Sequence, residues 1–415
     1  MAHGGSNSIT NAANEYFDAL IKSRFIEMFG QIDLSSQCPE WNEIKDVGVV
    51  LTGSTPKTGV NEYWDGDNLW ITPAELTSDR KYYDDTQRKI TDLGVQSCSL
   101  DQIEPGTVLL TSRAPIGKVG IATSMMYCNQ GFKNIKCGSR INSEYLYTLM
   151  FHNTEYLNSL GRGATFKEIS RKIVESIRIP VPPIELQNQF ADFVRQVDKS
   201  KLVFQQLVSK YDELVKSRFI EMIKSRDYPK RTIGEVCSKT RVGPFGSALH
   251  KYEMRSDGPV FVLGTDNAVR NEFAVDEERY ISLEKYAELE RYTVSPGDII
   301  VTMMGTIGRS AVIPEDFHKS IISSHLCCLT ANSEVVLPHY LQKSMVLDYE
   351  VNGHLEANKK GSIMNGLNLK IIKSIPFTCP PIDVQNQFLE FVRQVDKSKS
   401  KIIEGIKKLN VPQNS

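Results

Sequence analysis

A chain of 415 residues with 40% hydrophobic and 24% charged side chains has the makeup of a folded protein with two or three cores, not of a disordered tail. Its net charge of −1 argues against a free-standing, tight, non-specific nucleic-acid binder, which would carry a basic surplus. No apolar run approaches membrane length, MAHGGSNSIT is not a basic-then-apolar leader, and the eight scattered cysteines form no CxxC, so a cytoplasmic protein with reduced thiols, no metal site and no membrane partner is expected.

Residues 1–30 read as an N-terminal tail followed by the distal part of a helix over Asn11–Gly30, with Phe17, Leu20, Ile21 and Phe25 on one face and the phrase KSRFIEM at Lys22–Met28. Residues 31–181 have the texture of a mixed α/β body, with short Val- and Ile-rich runs punctuated by Gly, Pro and Asp. This body opens on GSTPKTGVNEYW (Gly53–Trp64) and contains PGTVLLTSRAPIGKVGIA (Pro105–Ala122). It closes on GRGATFKEISRKIVESIRIPVPP (Gly161–Pro183).

Residues 182–226 begin with PPIELQNQFADFVRQVDKSK and run from Gln187 to Lys224 without Pro or Gly. Phe190, Val197, Phe204 and Tyr211 fall seven apart, and Phe193, Val194, Leu207, Val208, Leu214 and Val215 fill the neighbouring stripe. A heptad seam of this length predicts coiled-coil pairing rather than a helix lying alone on one body. A helix of roughly 38 residues would extend about 57 Å, or roughly 17 base pairs of B-DNA.

Residues 227–379 repeat the α/β texture, with PGDIIVTMMGTIGRSAVI at Pro296–Ile313 and KKGSIMNGLNLKIIKSIPFTCPP at Lys359–Pro381. The opening loop here, GPFGSALHKYEM (Gly243–Met254), is unlike that of the first body. A duplicated framework with diverged loops is expected if each body touches a different short sequence. Residues 380–415 then repeat the helical phrase as PPIDVQNQFLEFVRQVDKSK, changed at four of twenty positions. The chain begins with the second half of the helical unit and ends with the first, so the repeat is cyclic. Two matched helices predict an antiparallel pair and a pseudo-twofold arrangement, which suits a nearly twofold ligand such as duplex DNA.

Short polar and basic side chains on loops supply phosphate and base-edge contacts. In the first body these are Ser54, Thr55, Lys57, Arg113, Lys118, Arg162, Thr165, Lys167, Arg171 and Lys172. In the second they are Ser247, Lys251, Arg309, Lys359, Lys360, Ser362 and Asn365, and Phe245 is a further candidate on the same opening loop. The glycines of the Pro-Gly and Ile-Gly-Lys/Arg turns are expected to serve the scaffold. No catalytic residue is expected. There is no GxxxxGK[ST] loop and no NPPY- or DPPY-type methylase motif, and Glu43-Ile44-Lys45 lacks the upstream acidic partner of a nuclease site.

The two PPI(E/D)(L/V)QNQF phrases, the KSRFIEM helix ends, GPFGSAL, GSTP and the two PG…IG(K/R) cores together resemble the specificity subunits of type I restriction-modification systems. The resemblance runs over nearly the whole chain after about Ser8. It implies an α/β (α+β) fold: two target recognition domains separated by two long helices that form an antiparallel coiled coil. Each domain would read half of a bipartite site in double-stranded DNA. The helices would set the unread gap and dock two modification subunits that methylate adenine with S-adenosylmethionine. Restriction subunits would add ATP- and Mg2+-dependent translocation and cleavage. Phe190, Phe193, Val194, Val197, Phe204, Phe388, Phe391, Val392, Val395 and Ile402 are then the expected pairing and docking residues. The near-neutral charge leaves one other reading open, a two-headed coiled-coil scaffold that spaces protein partners without touching DNA.

Overall fold

The computed structural model describes residues 7–77, 79–113, 115–163, 167–245, 248–359 and 367–409. Six helices position the rest: α1 (Asn7–Phe29), α2 (Ser143–His152), α3 (Ile184–Phe219), α4 (Leu283–Leu289), α5 (Pro338–Leu347) and α6 (Ile382–Leu409). The chain divides into two compact units. The first is Phe17–Ser200; the second joins Met1–Tyr16 to Lys201–Ser415, so both divisions fall inside a helix.

The first unit carries a five-stranded sheet ordered Gly48–Thr52, Lys133–Cys137, Val108–Leu110, Val119–Ala122, Tyr82–Tyr83, and a three-stranded sheet of Arg88–Ile90, Trp64–Ile71 and Tyr127–Cys128. The second unit carries two four-stranded sheets. One orders Cys237–Val242, Leu326–Ala331, Ile299–Thr302 and Ser310–Val312; the other orders Tyr280–Ile281, Val260–Leu263, Ser320–Ile322 and Thr293–Val294.

The matched Pro-Gly phrases explain how one strand in each head serves two cores. Side chains alternate across a strand. Val108 and Leu110 enter the core that holds Phe25, Tyr145 and Phe190, while Leu109 enters the other with Tyr83 and Phe132. In the second unit Ile299 and Val301 join Phe219, Tyr340 and Phe388, while Ile300 joins Phe261. Gly106 and Gly297 turn at φ of +87° and +81°, and Gly117 and Gly308 at +87° and +79°, a backbone region that other residues enter only with strain.

The duplicated Gln-Asn-Gln phrase is a fastening. Pro182-Pro183 and Pro380-Pro381 start α3 and α6. The buried Gln187 amide donates to the Pro182 carbonyl at 2.7 Å, and its oxygen accepts the Asn142 N–H at 2.8 Å, just before α2. Gln385 likewise donates to Pro380 at 2.8 Å and accepts from Leu337 at 2.8 Å, just before α5.

Each unit contains an antiparallel helix pair. In the first, Phe25 of α1 meets Phe190 of α3 edge-on at 5.5 Å, and Arg24 lies 5.7 Å from the Phe193 ring. In the second, Phe219 of α3 meets Phe388 of α6 at 5.5 Å, Arg218 lies 5.6 Å from Phe391, and Asp212 pairs with Lys399 at 2.7 Å. Each copy of KSRFIEM thus packs against one copy of the Pro-Pro-Ile phrase, which is the cyclic order expected from the sequence. The expected stripe needs one correction. Leu214 is exposed, as are Leu202 and Val203; the buried face runs through Val197, Phe204, Val208, Val215 and Phe219. At about 100° per residue, a position beside the seam in sequence can point away from it.

The first head is tied to α3 by a polar cluster. Lys81 pairs with Glu144 of α2 at 2.6 Å and with Asp198 of α3 at 3.1 Å. The Tyr82 hydroxyl lies 2.7 Å from Glu144 and 2.8 Å from Asp198. Burial, then the two carboxylates, push the Tyr82 phenol far above its ordinary value.

Candidate nucleic-acid interface

Both opening loops leave their sheets at a glycine that nothing larger can replace. A Cβ on Gly53 would lie 2.0 Å from the Cys128 carbonyl oxygen, and one on Gly243 would lie 1.9 Å from that of Ser323. At both points the chain presses against the end of a strand of the head's other sheet, Tyr127–Cys128 or Ser320–Ile322, and the two loops follow corresponding strands of the two heads.

The first loop is polar and braced. The Trp70 indole N–H donates to the Ser54 carbonyl at 3.1 Å, and that of Trp64 to the Lys57 carbonyl at 3.3 Å. Thr55 bonds the Gln130 side chain, and Lys57 is exposed. Arg88 lies over Trp64 at 3.8 Å, so a cation sits beside the loop. The two tryptophans and Arg88 lie outside the sequence-based set. Their signal was the aromatic pair Trp64 and Trp70, six residues apart.

One of the expected cations, Arg113, meets a carboxylate, that of Glu168, and Arg162 and Lys167 lie beside it. Arg113 approaches Glu168 at 3.9 Å; the backbones of Arg162 and Glu168 exchange two hydrogen bonds; Arg162 and Lys167 point into solvent. Lys133, from a separate strand, reaches the same carboxylate at 3.5 Å. Lys118 turns inward instead, its ammonium donating to the Leu76 carbonyl at 2.7 Å. Arg171 is engaged by Glu175 at 2.7 Å, one helical turn on, and Lys172 beside it is exposed.

In the second head Arg309 follows the left-handed Gly308, and its backbone N–H donates to Thr302 Oγ1 at 3.0 Å. Lys118 makes the same backbone bond to Thr111 at 2.9 Å. Lys251 is exposed on the turn Lys251–Glu253. Phe245 is 82% exposed, as is Tyr252, which the sequence-based set lacks. Thr165, Ser247, Lys360, Ser362 and Asn365 lie outside the described residues, as does the side chain of Lys359, which ends the helix Tyr349–Lys359. Among the described residues, no three His, Cys, Asp or Glu side chains are grouped to hold a metal, and no helix is long and apolar enough to cross a membrane.

On the helices, Phe190, Val194, Val197, Phe204, Phe388, Val392 and Val395 are buried. Phe193, Phe391 and Ile402 are half-buried. Beside the two matched arginine–phenylalanine contacts, Ile26 and Ile220 stand at corresponding positions, 40% and 45% exposed.

A fold of two such heads, each on its own helix pair, is the class of DNA specificity proteins. The family model for the type I restriction modification DNA specificity domain matches residues 39–207 and 226–410, and the chain belongs to this family. It is 40% identical over 184 residues to the type I restriction enzyme MjaIX specificity subunit of Methanocaldococcus jannaschii, covering 43% of each chain. It is 23% identical over 166 residues to the EcoR124I/EcoR124II specificity subunit of Escherichia coli, covering 38% of this chain and 41% of that one. The matches thus span less than half the length of these relatives. A chain solved in work on complex assembly and conformational transition of the type I R-M system shares the fold at a TM-score of 0.53 and 16% identity, covering 90% of this chain and 96% of that chain.

Proposed function

We propose that this specificity subunit reads a split DNA sequence, each head contacting one half. The observation that carries this reading is the pair of loops leaving Gly53 and Gly243. The framework around them is duplicated, while their chemistry differs: one is polar, the other aromatic. The exposed cations Lys57, Arg162, Lys167 and Lys251 supply phosphate contacts. The length of α3 sets the unread gap.

Two helix pairs that present the same residues, exposed Ile26 beside Arg24 and half-buried Phe193, and exposed Ile220 beside Arg218 and half-buried Phe391, suit two copies of one partner. In this reading those partners are modification subunits, which use S-adenosylmethionine to methylate adenine. Restriction subunits using ATP and Mg2+ complete the assembly, and this chain contributes recognition rather than catalysis.

Co-expression with the cognate modification subunit, followed by methylation-sensitive sequencing of the host genome, tests the proposal. Adenine methylation at one bipartite motif is expected. A stable complex that leaves the genome unmethylated, and binds duplex DNA without sequence preference or salt dependence, would instead favour the scaffold reading.

A further inference from the structure

Phe245 and Tyr252 are the most exposed large apolar side chains among the described residues, each at 82%. Leaving such rings in water forgoes the favourable burial of their apolar surface. Tyr252 is nonetheless held in place. Leu249 and Met254 pack into the core of the second head, which turns the intervening residues outward. The Glu253 carboxylate accepts the His250 backbone N–H at 2.7 Å and pairs with Lys285 of α4 at 2.9 Å. These contacts, the His250 N–H first, hold Glu253 below the ordinary carboxylate range. The His250 and Tyr252 rings stack at 5.1 Å and 11°. A turn anchored at both ends thus presents a stacked pair of rings beside the exposed Lys251.

The loop also starts at the point that corresponds to the start of the first head's polar loop, at a glycine pressed onto the end of a strand of the other sheet. The first head offers hydroxyls and an ammonium there, suited to hydrogen bonding with base edges. The second offers rings. In duplex DNA the apolar feature of a base edge is the thymine 5-methyl group, which lies in the major groove.

We propose that Phe245, His250 and Tyr252 are specificity-determining residues of the second head, selecting its half-site by apolar contact with thymine methyl groups, with Lys251 on the adjacent phosphate. This rests on the reading of the heads as DNA-binding. It makes the two heads chemically unlike readers on one framework.

The test uses the full complex with its modification subunit and the bipartite motif found from genome methylation. A half-site methylated on adenine holds an A·T pair, so each half contains a thymine. Duplexes are made with thymine replaced by deoxyuridine in one half-site at a time, which removes the methyl group alone. Replacement in one half should weaken binding about tenfold, and replacement in the other should change it little. Phe245→Ala and Tyr252→Ala should bind the unmodified duplex at the weakened level and no longer distinguish thymine from uracil, with unchanged thermal melting, since the rings cover little.

Equal binding of all wild-type duplexes, or variants with wild-type affinity and an unaltered motif, would overturn the inference. So would variants that lose the modification subunit, because the rings would then contact protein. The absence of any methylated motif with the wild-type complex would count against the DNA-reading proposal itself and is distinguishable from these outcomes.

Discussion

Lys224 reaches Asp348 at 3.2 Å, and both side chains are almost wholly buried. The lysine lies in the π-helical turn Ile220–Lys224 that follows α3, and the aspartate follows α5. The same ammonium meets Glu350 at 3.1 Å and Thr378 at 3.1 Å. In the first unit the corresponding position after α2 is Asn153, whose amide bonds the Leu34 N–H at 2.9 Å and the Ile32 carbonyl at 3.2 Å. The two units close the same corner, one with charge and one without. Removing one partner of a buried ion pair strands the other charge. Lys224→Met should therefore cost about 3–5 kcal/mol in urea unfolding. Adding Asp348→Asn, the residue type the first unit uses, should recover much of that loss. Equal stability of the single and double variants would refute the assignment.

The helix pairs separate packing from docking. Phe190 and Phe388 are fully buried, so either change to Ala should cost about 3–5 kcal/mol, measured by thermal or urea unfolding. Phe193 and Phe391 are half-buried under arginines, so changing either to Asp should leave the fold largely intact. These variants are expected to lose co-purification with the modification subunit. A Phe193→Asp chain that assembles normally would remove that face from the docking surface.

Trp64→Phe keeps a ring under Arg88 but deletes the N–H that holds the Lys57 carbonyl. Such a bond contributes about 0.5–1.5 kcal/mol net. The expected result is a small stability change with a relaxed preference in one half-site of the methylated motif. Relaxation in both halves, or in neither, would show that Trp64 does not position the first loop.

Two histidines set a pH dependence. Burial, then Lys22, pushes His152 below its ordinary value; burial, then Lys343 and Arg393, does the same to His339, against a smaller opposing pull from Glu315. Each folded head therefore favours the neutral ring, and the unfolded chain takes up the proton first as pH falls. Stability should be full above about pH 6.5 and decline as pH drops from there through the depressed folded values. Urea midpoints compared across pH 5–8 should show this slope, and His152→Gln with His339→Gln should flatten it.

If α3 sets the unread gap, inserting four residues after Ser200 lengthens the helix by about 6 Å, or roughly two base pairs. The motif recovered from genome methylation should keep both half-sites and widen its gap. An altered half-site with an unchanged gap would refute the ruler.

Much of this was legible in the sequence because it repeats. The duplicated Pro-Pro-Ile and KSRFIEM phrases, the seven-residue spacing, and the alternating Val108-Leu109-Leu110 and Ile299-Ile300-Val301 runs are local periodicities. Local periodicity determines which residues form helices and strands and that the chain holds two like heads in cyclic order. The tertiary structure decided where each individual side chain goes. Lys118 caps carbonyls near Leu76, Glu168 gathers Arg113 and Lys133, Leu214 faces water, and Tyr252 stands out on a braced turn. Those outcomes depend on partners tens of residues away along the chain, brought close by packing that no local pattern encodes.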